Sequence, residues 1–499
     1  MQLKELVSEL TPLRVEGMLD REISGVAYDS RRVTPGMVFV AVPGRQTDGH
    51  DYIGTAIDRG AAAVICEQNG FSSSRVTKIK VADSRAALAG AAAAYYGHPS
   101  KKLQVIGVTG TNGKTTVAFM LRHMLESAGI DCGLIGTVRY EIRDRVIPAQ
   151  RTTPESLEVQ QLLSQMVRAG CRACAMEVSS HSLEQQRVSG VEFDIGIFTN
   201  LTQDHLDYHG DMERYFAAKR KLFVALGKGS KQGTAVINVD DLYGARLAEY
   251  HDVARQTTYG LGPAAQVRAT RIQLGPESTR MMIEAPRSTF SCTLPLIGRH
   301  NVYNALAAIS TGLAVGLSAP QIQGAINAIG PVPGRLERIS LGQPFSVFVD
   351  YAHTDDALRN VLTTLREITR GRLLLTFGCG GNRDSGKRPK MGRVAAELAD
   401  FTLLTTDNPR REAAEKICAQ IEQGFHSVRH EGCRVELDRR RAIDEILRLA
   451  APGDTVLIAG KGHETYQEID DTVVPFDDRM QALEVLETLG WRNPPAPGN

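Results

Sequence analysis

One stretch, Val105-Ile-Gly-Val-Thr-Gly-Thr-Asn-Gly-Lys-Thr-Thr116, combines residue types that can hold a phosphate. Gly110 and Gly113 let the backbone curl. Lys114, Thr115 and Thr116 open a helical pattern, so free N–H groups and the positive end of a helix dipole would face an anion. Within that loop, Thr111 and Asn112 lie between the glycines, Lys114 would reach the β- and γ-phosphates, and the Thr115 hydroxyl would touch magnesium. The strict phosphate-loop pattern asks for glycine at position 108, where this chain has Val108. An ordinary strand-to-helix turn with a surface lysine is the competing reading. The apolar run before the loop and the helical pattern after it favour the phosphate loop.

Two further groups stand at comparable places. Glu177 ends the run Ala173-Cys-Ala-Met-Glu-Val178, and His205 follows the run Ile195-Gly-Ile-Phe-Thr-Asn200. Ligands of a mostly parallel sheet gather beyond the carboxyl ends of its strands. Hard oxygen ligands with an occasional histidine suit magnesium bound to a nucleotide. Singly, each residue fits a cap or a surface position, and only the shared placement points to metal or phosphate work. Lys219 lies on the helical pattern 212–226 among Tyr215, Phe216, Leu222 and Phe223. From the residues alone it reads as a surface lysine whose stem lies along apolar side chains.

The elements that must position these groups alternate strand-like and helical patterns, which predicts an α/β protein. At 499 residues the chain has room for about three domains. Residues 1–98 carry no nucleotide motif, and the polar stretches Tyr28-Asp-Ser-Arg-Arg32 and Gly44-Arg-Gln-Thr-Asp-Gly49 read there as solvated turns. His98-Pro-Ser-Lys-Lys102 reads as a linker. Residues 99–333 form a central phosphate-loop domain on a parallel sheet. Residues 334–499 start at the hinge-like Pro331-Val-Pro-Gly-Arg335 and form a second, doubly wound, Rossmann-like unit. In that unit polar loops again follow the strands: Asp350-Tyr-Ala-His353, Gly378-Cys-Gly-Gly-Asn-Arg-Asp384, Asp407-Asn-Pro-Arg410 and Gly460-Lys-Gly-His-Glu464. Trp491-Arg-Asn-Pro-Pro reads as the start of a frayed tail.

Composition excludes several classes. A net charge of +1 gives no global attraction to nucleic acid or to anionic membranes. No apolar run is long enough to span a membrane, and the charged start of the chain is not a signal peptide. Eight scattered cysteines suit a reducing cytoplasm, and Cys171-x-x-Cys174 reads as a pair of buried or half-buried thiols.

The phosphate loop with Val108 resembles that of the Mur ligases and folylpolyglutamate synthetases. Glu177-Val-Ser-Ser-His181, Thr199-Asn-Leu-x-x-Asp-His205, Gly298-x-His-Asn-x-x-Asn304, Pro333-Gly-Arg335 and Asp350-Tyr-Ala-His353 resemble Mur ligase motifs in order, over essentially the whole chain. Asp407-Asn-Pro-Arg410 resembles the motif of diaminopimelate-adding members. The resemblance implies three domains, for a UDP-sugar, ATP and an incoming amino acid. It implies joining of meso-2,6-diaminopimelate to the D-Glu γ-carboxyl of UDP-MurNAc-L-Ala-D-Glu, through an acyl phosphate, in peptidoglycan synthesis. The enzyme would be a cytoplasmic monomer using ATP and Mg2+, with no nucleic-acid partner.

By the same resemblance Lys114, Glu177, His205 and Lys219 are the catalytic set. Thr115, Glu177, His205 and a carbamylated Lys219 would hold magnesium. Gly110, Thr111, Asn112, Gly113, Lys114, Thr115, Thr116, Asn301, Asn304, Arg335 and Asp350 would contact the nucleotide or close the last domain over it. Ser30, Arg45, Gln46 and Thr47 would hold the UDP-sugar, in place of the solvated turns read above. Thr152, Thr153, Ser179, Gln185 and Arg187 would hold the peptide end. Arg383, Asp407, Asn408, Pro409, Arg410, Gly460 and Glu464 would take diaminopimelate, with Arg410 pairing its distal carboxylate and Glu464 its ammonium. One departure from the family is Asp355, where relatives usually carry proline. Arg151 receives no role. The alternatives are a lysine-adding Mur ligase, a folylpolyglutamate synthetase-like ligase, and, from another class, a P-loop ATPase switch that turns over ATP without an acceptor.

Overall fold

The computed structural model describes residues 1–44, 47–68, 74–250 and 255–492. Arg45 and Gln46 lie outside the described residues. The chain divides into two compact units. The first comprises Met1–Arg268, Glu284–Ser288 and Tyr303–Ala325, and the second Ala269–Ile283, Thr289–Val302 and the chain from Ile326 onward. The architecture is α/β, as the alternating patterns predict. Among the described residues no helix is long and apolar enough to cross a membrane.

The first unit opens with a small sheet of β1 (Arg14–Glu16), β2 (Gly25–Ala27), β3 (Met37–Val40), β4 (Ala63–Cys66) and β5 (Thr77–Lys80), in the order β1-β5-β4-β3-β2. Only β1 runs antiparallel to its neighbour. Apolar clusters form on both faces, and the alanine-rich helix Ser84–Tyr95, capped by Asp83, covers one of them. The segment after this helix is a packed 3-10 turn, Pro99–Lys102, and not a free linker. Pro99 and Ser100 are buried, and Ser100 Oγ accepts the Glu192 N–H at 3.1 Å. Its two exposed lysines gave the segment its solvent-facing look.

The larger sheet of this unit contains β6 (Gln104–Thr109), β7 (Cys132–Ile135), β8 (Arg139–Ile142), β9 (Arg145–Pro148), β10 (Ala173–Glu177), β11 (Ile195–Phe198), β12 (Thr234–Asn238) and β13 (Arg255–Gly260). Their order is β13-β12-β11-β6-β10-β7-β8-β9. From β13 to β7 every pairing is parallel, whereas β8 and β9 form an antiparallel hairpin. Strands buried on both faces read as continuous apolar runs, which is why β6, β10 and β11 were legible. Val108 pairs with Glu177 on one side and Ile197 on the other, with 0% exposure. Position 108 is therefore still strand, and the backbone needs no glycine there. The strands β14 (Val267–Leu274), β15 (Thr279–Ala285) and β16 (Ser288–Leu294) follow in sequence.

In the second unit, β17 (Glu337–Ile339), β18 (Ser346–Asp350), β19 (Leu373–Phe377), β20 (Phe401–Leu404), β21 (Cys433–Val435) and β22 (Thr455–Ala459) form a sheet ordered β17-β18-β22-β19-β20-β21. All its pairings are parallel except β17 with β18. Apolar clusters on both faces make it doubly wound. The polar loops after β18, β19, β20 and β22 therefore share one edge. A separate hairpin, β23 (Tyr466–Ile469) and β24 (Thr472–Pro475), follows the last of them. Asp355 is the first residue of the helix Asp355–Ile368, which Thr354 caps. Proline and an acid both suit that position, one by its fixed φ and the other by the helix dipole. Trp491 is packed against an apolar cluster and donates its backbone N–H to Leu486 O at 3.0 Å, so Trp491 itself is not frayed, and residues 493–499 lie outside the described residues.

Candidate active site

The phosphate loop is built mainly from backbone. Gly113 stands before the helix Lys114–Ser127 at a φ of +87°, and so offers no capping side chain over the first N–H groups. A Cβ at Gly110 would lie 1.9 Å from Thr199 Oγ1, and one at Gly113 would lie 2.3 Å from Asn304 Oδ1. Both positions thus exclude a side chain, and Asn304 lies against the loop. The loop is tied to the end of β11: Thr111 N donates to Asn200 O at 2.9 Å, Asn112 N to Asn200 Oδ1 at 2.9 Å, and Thr199 Oγ1 to Asn112 O at 2.6 Å. Lys114 Nζ curls back onto the carbonyls of Gly110 (3.0 Å) and Thr111 (2.8 Å).

Lys219 departs from its reading as a surface lysine. It is 1% exposed, donates to Gly110 O at 2.8 Å, and sits 4.6 Å from the centroid of the Tyr215 ring. Burial, with Lys114 nearby, holds its ammonium well below the usual lysine range. The lysine lies on the inner stripe of the helix Met212–Ala225, beside the apolar residues that made it look like a snorkelling stem.

Glu177 is 1% exposed and accepts the Thr115 hydroxyl at 3.0 Å. It also accepts Thr137 N at 2.8 Å and Thr137 Oγ1 at 3.0 Å. Thr137 escaped the sequence reading, although it follows β7 at the same sheet edge. His205, in a left-handed conformation with φ 55°, stacks edge-on to His181 at 4.8 Å between centroids. Burial lowers its pKa, Asp204 opposes the shift, and Lys114 and Lys219 add to it. His181 is pushed down to about 4 by burial and by the neighbouring histidines. Burial thus favours the neutral form of both rings. Among the described residues no group of three or more His, Cys, Asp or Glu side chains is assembled for a metal. The hard oxygens of Thr115 and Glu177 beside a phosphate loop do fit magnesium, which takes few protein ligands and completes its shell with phosphates and water.

A chain of bonds runs from Glu177 toward the residues read as the peptide site. Thr137 Oγ1 meets Thr152 Oγ1 at 3.0 Å, Thr153 Oγ1 donates to Glu177 O at 2.8 Å, and Ser179 N donates to Thr153 Oγ1 at 3.1 Å. Arg187 reaches Thr153 O at 3.0 Å and Gln185 Oε1 at 2.6 Å. Glu155, unnoticed in the sequence, gathers Arg151 (2.6 Å), Arg187 (3.1 Å) and Arg85 (3.7 Å). Ser30 is buried in a short turn capped by Asp29, and Thr47 is exposed. The turn is linked to the helix Ser156–Arg168 through Tyr28 Oη, 3.0 Å from Glu158 Oε1.

In the second unit Asn301 donates to Ile297 O at 2.9 Å. Asp350 accepts Leu336 N at 2.6 Å and Ala352 N at 2.8 Å, and burial raises its pKa against the pull of Arg335. The loops after β19, β20 and β22 interlock. Gly381 N donates to Asn408 O at 2.9 Å, and a Cβ at Gly460 would lie 2.7 Å from Asp407 Oδ2. Asp407 and Asn408 are buried, whereas Arg383 is exposed. Arg410 adopts a left-handed φ of 53° because its backbone bridges to the β23 hairpin, with N–H to Glu468 O at 2.9 Å. Its guanidinium pairs with Glu468 at 2.8 Å through Nε and donates to Gly381 O at 3.0 Å through Nη1.

Three family models match in chain order. They are the Mur ligase family catalytic domain at residues 22–96, the Mur ligase middle domain at 108–312, and the Mur ligase glutamate ligase domain at 334–462. Two relatives are named UDP-N-acetylmuramoyl-L-alanyl-D-glutamate–2,6-diaminopimelate ligase. The one from Geobacter metallireducens is 44% identical over 98% of this chain and 99% of its own length. The one from Solibacter usitatus is 46% identical over 98% and 99%. A solved structure of a ligase of that name is 31% identical, with a TM-score of 0.70 over 98% of this chain and 99% of the other. The MurF ligase from Thermotoga maritima, solved in complex with ADP, shares the fold at 19% identity and a TM-score of 0.62, over 93% of this chain and 97% of that one. This chain belongs to the Mur ligase family.

Proposed function

We propose that this chain joins meso-2,6-diaminopimelate to the D-Glu γ-carboxyl of UDP-MurNAc-L-Ala-D-Glu, with ATP converted to ADP and phosphate. The single observation that carries this reading is the interlocked loop Asp407-Asn-Pro-Arg410, facing Glu464 across the edge of one sheet. Its arginine, held by Glu468 through Nε and by Gly381 O through Nη1, would turn its remaining donors to a carboxylate, and Glu464 offers a partner to an ammonium. Diaminopimelate carries both groups at its far end, and lysine only the ammonium.

A carboxylate is a poor electrophile, so the γ-phosphoryl of ATP is first transferred to it. That forms a C–O–P bond and releases ADP. The acceptor amine then attacks the acyl carbon, and phosphate leaves through a tetrahedral intermediate as the amide forms. Bringing two anions together demands cations. Lys114 and the helix N-terminus would hold the β- and γ-phosphates, and Arg187 would steady the dipeptide end. Thr115 and Glu177, with His205, would hold magnesium, which when bound neutralises charge on the transferring phosphoryl group. The buried Lys219 amine, whose burial favours the uncharged form, is suited to take up carbon dioxide as a carbamate and so become an acidic ligand beside the loop. Asn301, Asn304, Arg335 and Asp350 would serve the nucleotide, and Ser30 and Thr47 the UDP-sugar. Residues 1–98, 99–333 and 334–499 would divide these tasks as three domains. We place the reaction in the cytoplasm, where ATP is supplied, with the enzyme acting as a monomer.

Phosphate release with UDP-MurNAc-dipeptide and ATP, compared between meso-diaminopimelate, L-lysine and no acceptor, tests the reading. Release only with diaminopimelate is expected. Equal release in all three arms would show an ATPase, and a preference for lysine would overturn the specificity.

A further inference from the structure

We propose that Lys461 is a positioning residue of the acceptor site: its buried ammonium fixes Glu464 and Asn408 so that a single carboxylate oxygen of Glu464 meets the acceptor's ammonium. This rests on the reading of residues 407–410 and Glu464 as acceptor groups, and adds a residue to it.

Lys461 is 0% exposed, an unusual place for a lysine. It lies between Gly460 and Gly462, whose φ values of +110° and +53° turn the chain so that the side chain points inward. Its Nζ donates to Asn408 Oδ1 and to Glu464 Oε2, each at 3.0 Å, and stands 5.4 Å from the centroid of the Tyr466 ring. Asn408 Nδ2 donates to the same Glu464 Oε2 at 3.0 Å, and Glu468 N donates to Asn408 Oδ1 at 3.0 Å. The Asn408 amide can therefore sit only one way round, with its oxygen toward two donors and its nitrogen toward a carboxylate.

The described hydrogen bonds to the Glu464 side chain all fall on Oε2, and the side chain keeps 19% exposure. An incoming ammonium is thus directed to Oε1. Other charged or titratable groups around this carboxylate are Asp407, Arg410 with Glu468, Arg439 with Asp478, and the phenols of Tyr351 and Tyr466. Among the described bonds only Lys461 brings a formal charge into contact with Glu464. A buried cation needs a carboxylate partner, and here that need locks the carboxylate in one orientation.

The test is a double-mutant cycle on the full chain with Lys461→Met, Glu464→Gln and the pair, reading KM for meso-diaminopimelate and for ATP, with thermal melting as a check on folding. Each single change should raise the acceptor KM by roughly tenfold or more and leave the ATP KM unchanged. The double variant should be no worse than the worse single, because both act through one carboxylate. Effects that multiply, an unchanged acceptor KM in Lys461→Met, or an equal rise in the ATP KM would overturn the proposal. Should Lys461→Met not fold, Lys461→Gln keeps a hydrogen-bond donor and enters the same cycle. Failure of both to fold overturns the proposal by making the lysine a stability element. A wild type whose turnover ignores diaminopimelate sinks the functional reading itself, whereas a diaminopimelate-dependent wild type with a silent Lys461→Met sinks only this inference.

Discussion

The loop after β6 and the loops after β19, β20 and β22 sit at the same kind of place in two parallel sheets, yet they are built by opposite means. The first is shaped by backbone: Gly110 and Gly113 at positive φ, N–H groups at a helix start, and carbonyls that accept Lys114 and Lys219. The second is shaped by buried charge. Arg388 (0% exposed) clamps Glu412 at 2.7 Å and donates to Gly380 O. Arg439 and Asp478, both 0% exposed, form a 2.7 Å pair. The same guanidinium holds Thr406 O and Ala459 O, the carbonyls just before Asp407 and Gly460. Backbone N–H groups recognise any phosphate, so the first design suits a part shared across a family. Side-chain charges can be exchanged one at a time, so the second suits a part that chooses among amino acids.

The difference can be broken from either side. Lys114→Ala should have the largest effect, lowering kcat on the order of 10²–10³-fold while the melting temperature stays near wild type. An unaffected kcat would remove Lys114 from the phosphates. Next in size, Arg439→Met strands Asp478 without its partner, and breaking a buried pair costs about 3–5 kcal/mol. Denaturant unfolding should show that loss in the second unit, and an unchanged midpoint would mean that the pair is dispensable.

The smallest effect is an acid limb of stability. Arg388 holds Glu412 down to about 2 from an ordinary value of 4.5. Because the folded pKa is depressed, the stabilisation is present above about pH 4.5 and is lost as pH falls toward about 2. Melting curves across that window should be flatter for Arg388→Met than for wild type, and identical slopes would contradict the assignment.

The two regions also differed in legibility. Buried parallel strands such as β6, β10 and β19 announce themselves as apolar runs, so both large sheets and the phosphate loop could be read in advance. The hairpins β8–β9 and β23–β24 could not. Their turns put Arg143 and Asp470 at positive φ, in place of the glycine or asparagine that signals a tight hairpin. Strand-end position marked Glu177 and the Asp407 loop as candidates, and the structure places both at the ends of parallel strands. Thr137, Glu155 and Glu468 stayed hidden because each acts by pairing with a residue distant in sequence. Lys219 and Lys461 look like any surface lysine until burial is known, and nothing in a linear pattern distinguishes a snorkelling stem from an ammonium held inside.

The most direct test of the division between a shared loop and a choosing loop is the ratio of kcat/KM for meso-diaminopimelate over L-lysine, measured in wild type and in Arg410→Ala. A site that reads the distal carboxylate should discriminate strongly in wild type. It should lose most of that ratio in the variant, through the diaminopimelate KM, with the ATP KM unmoved. A variant that keeps the wild-type ratio would contradict the account, because the choice of acceptor would then lie outside the charged loops.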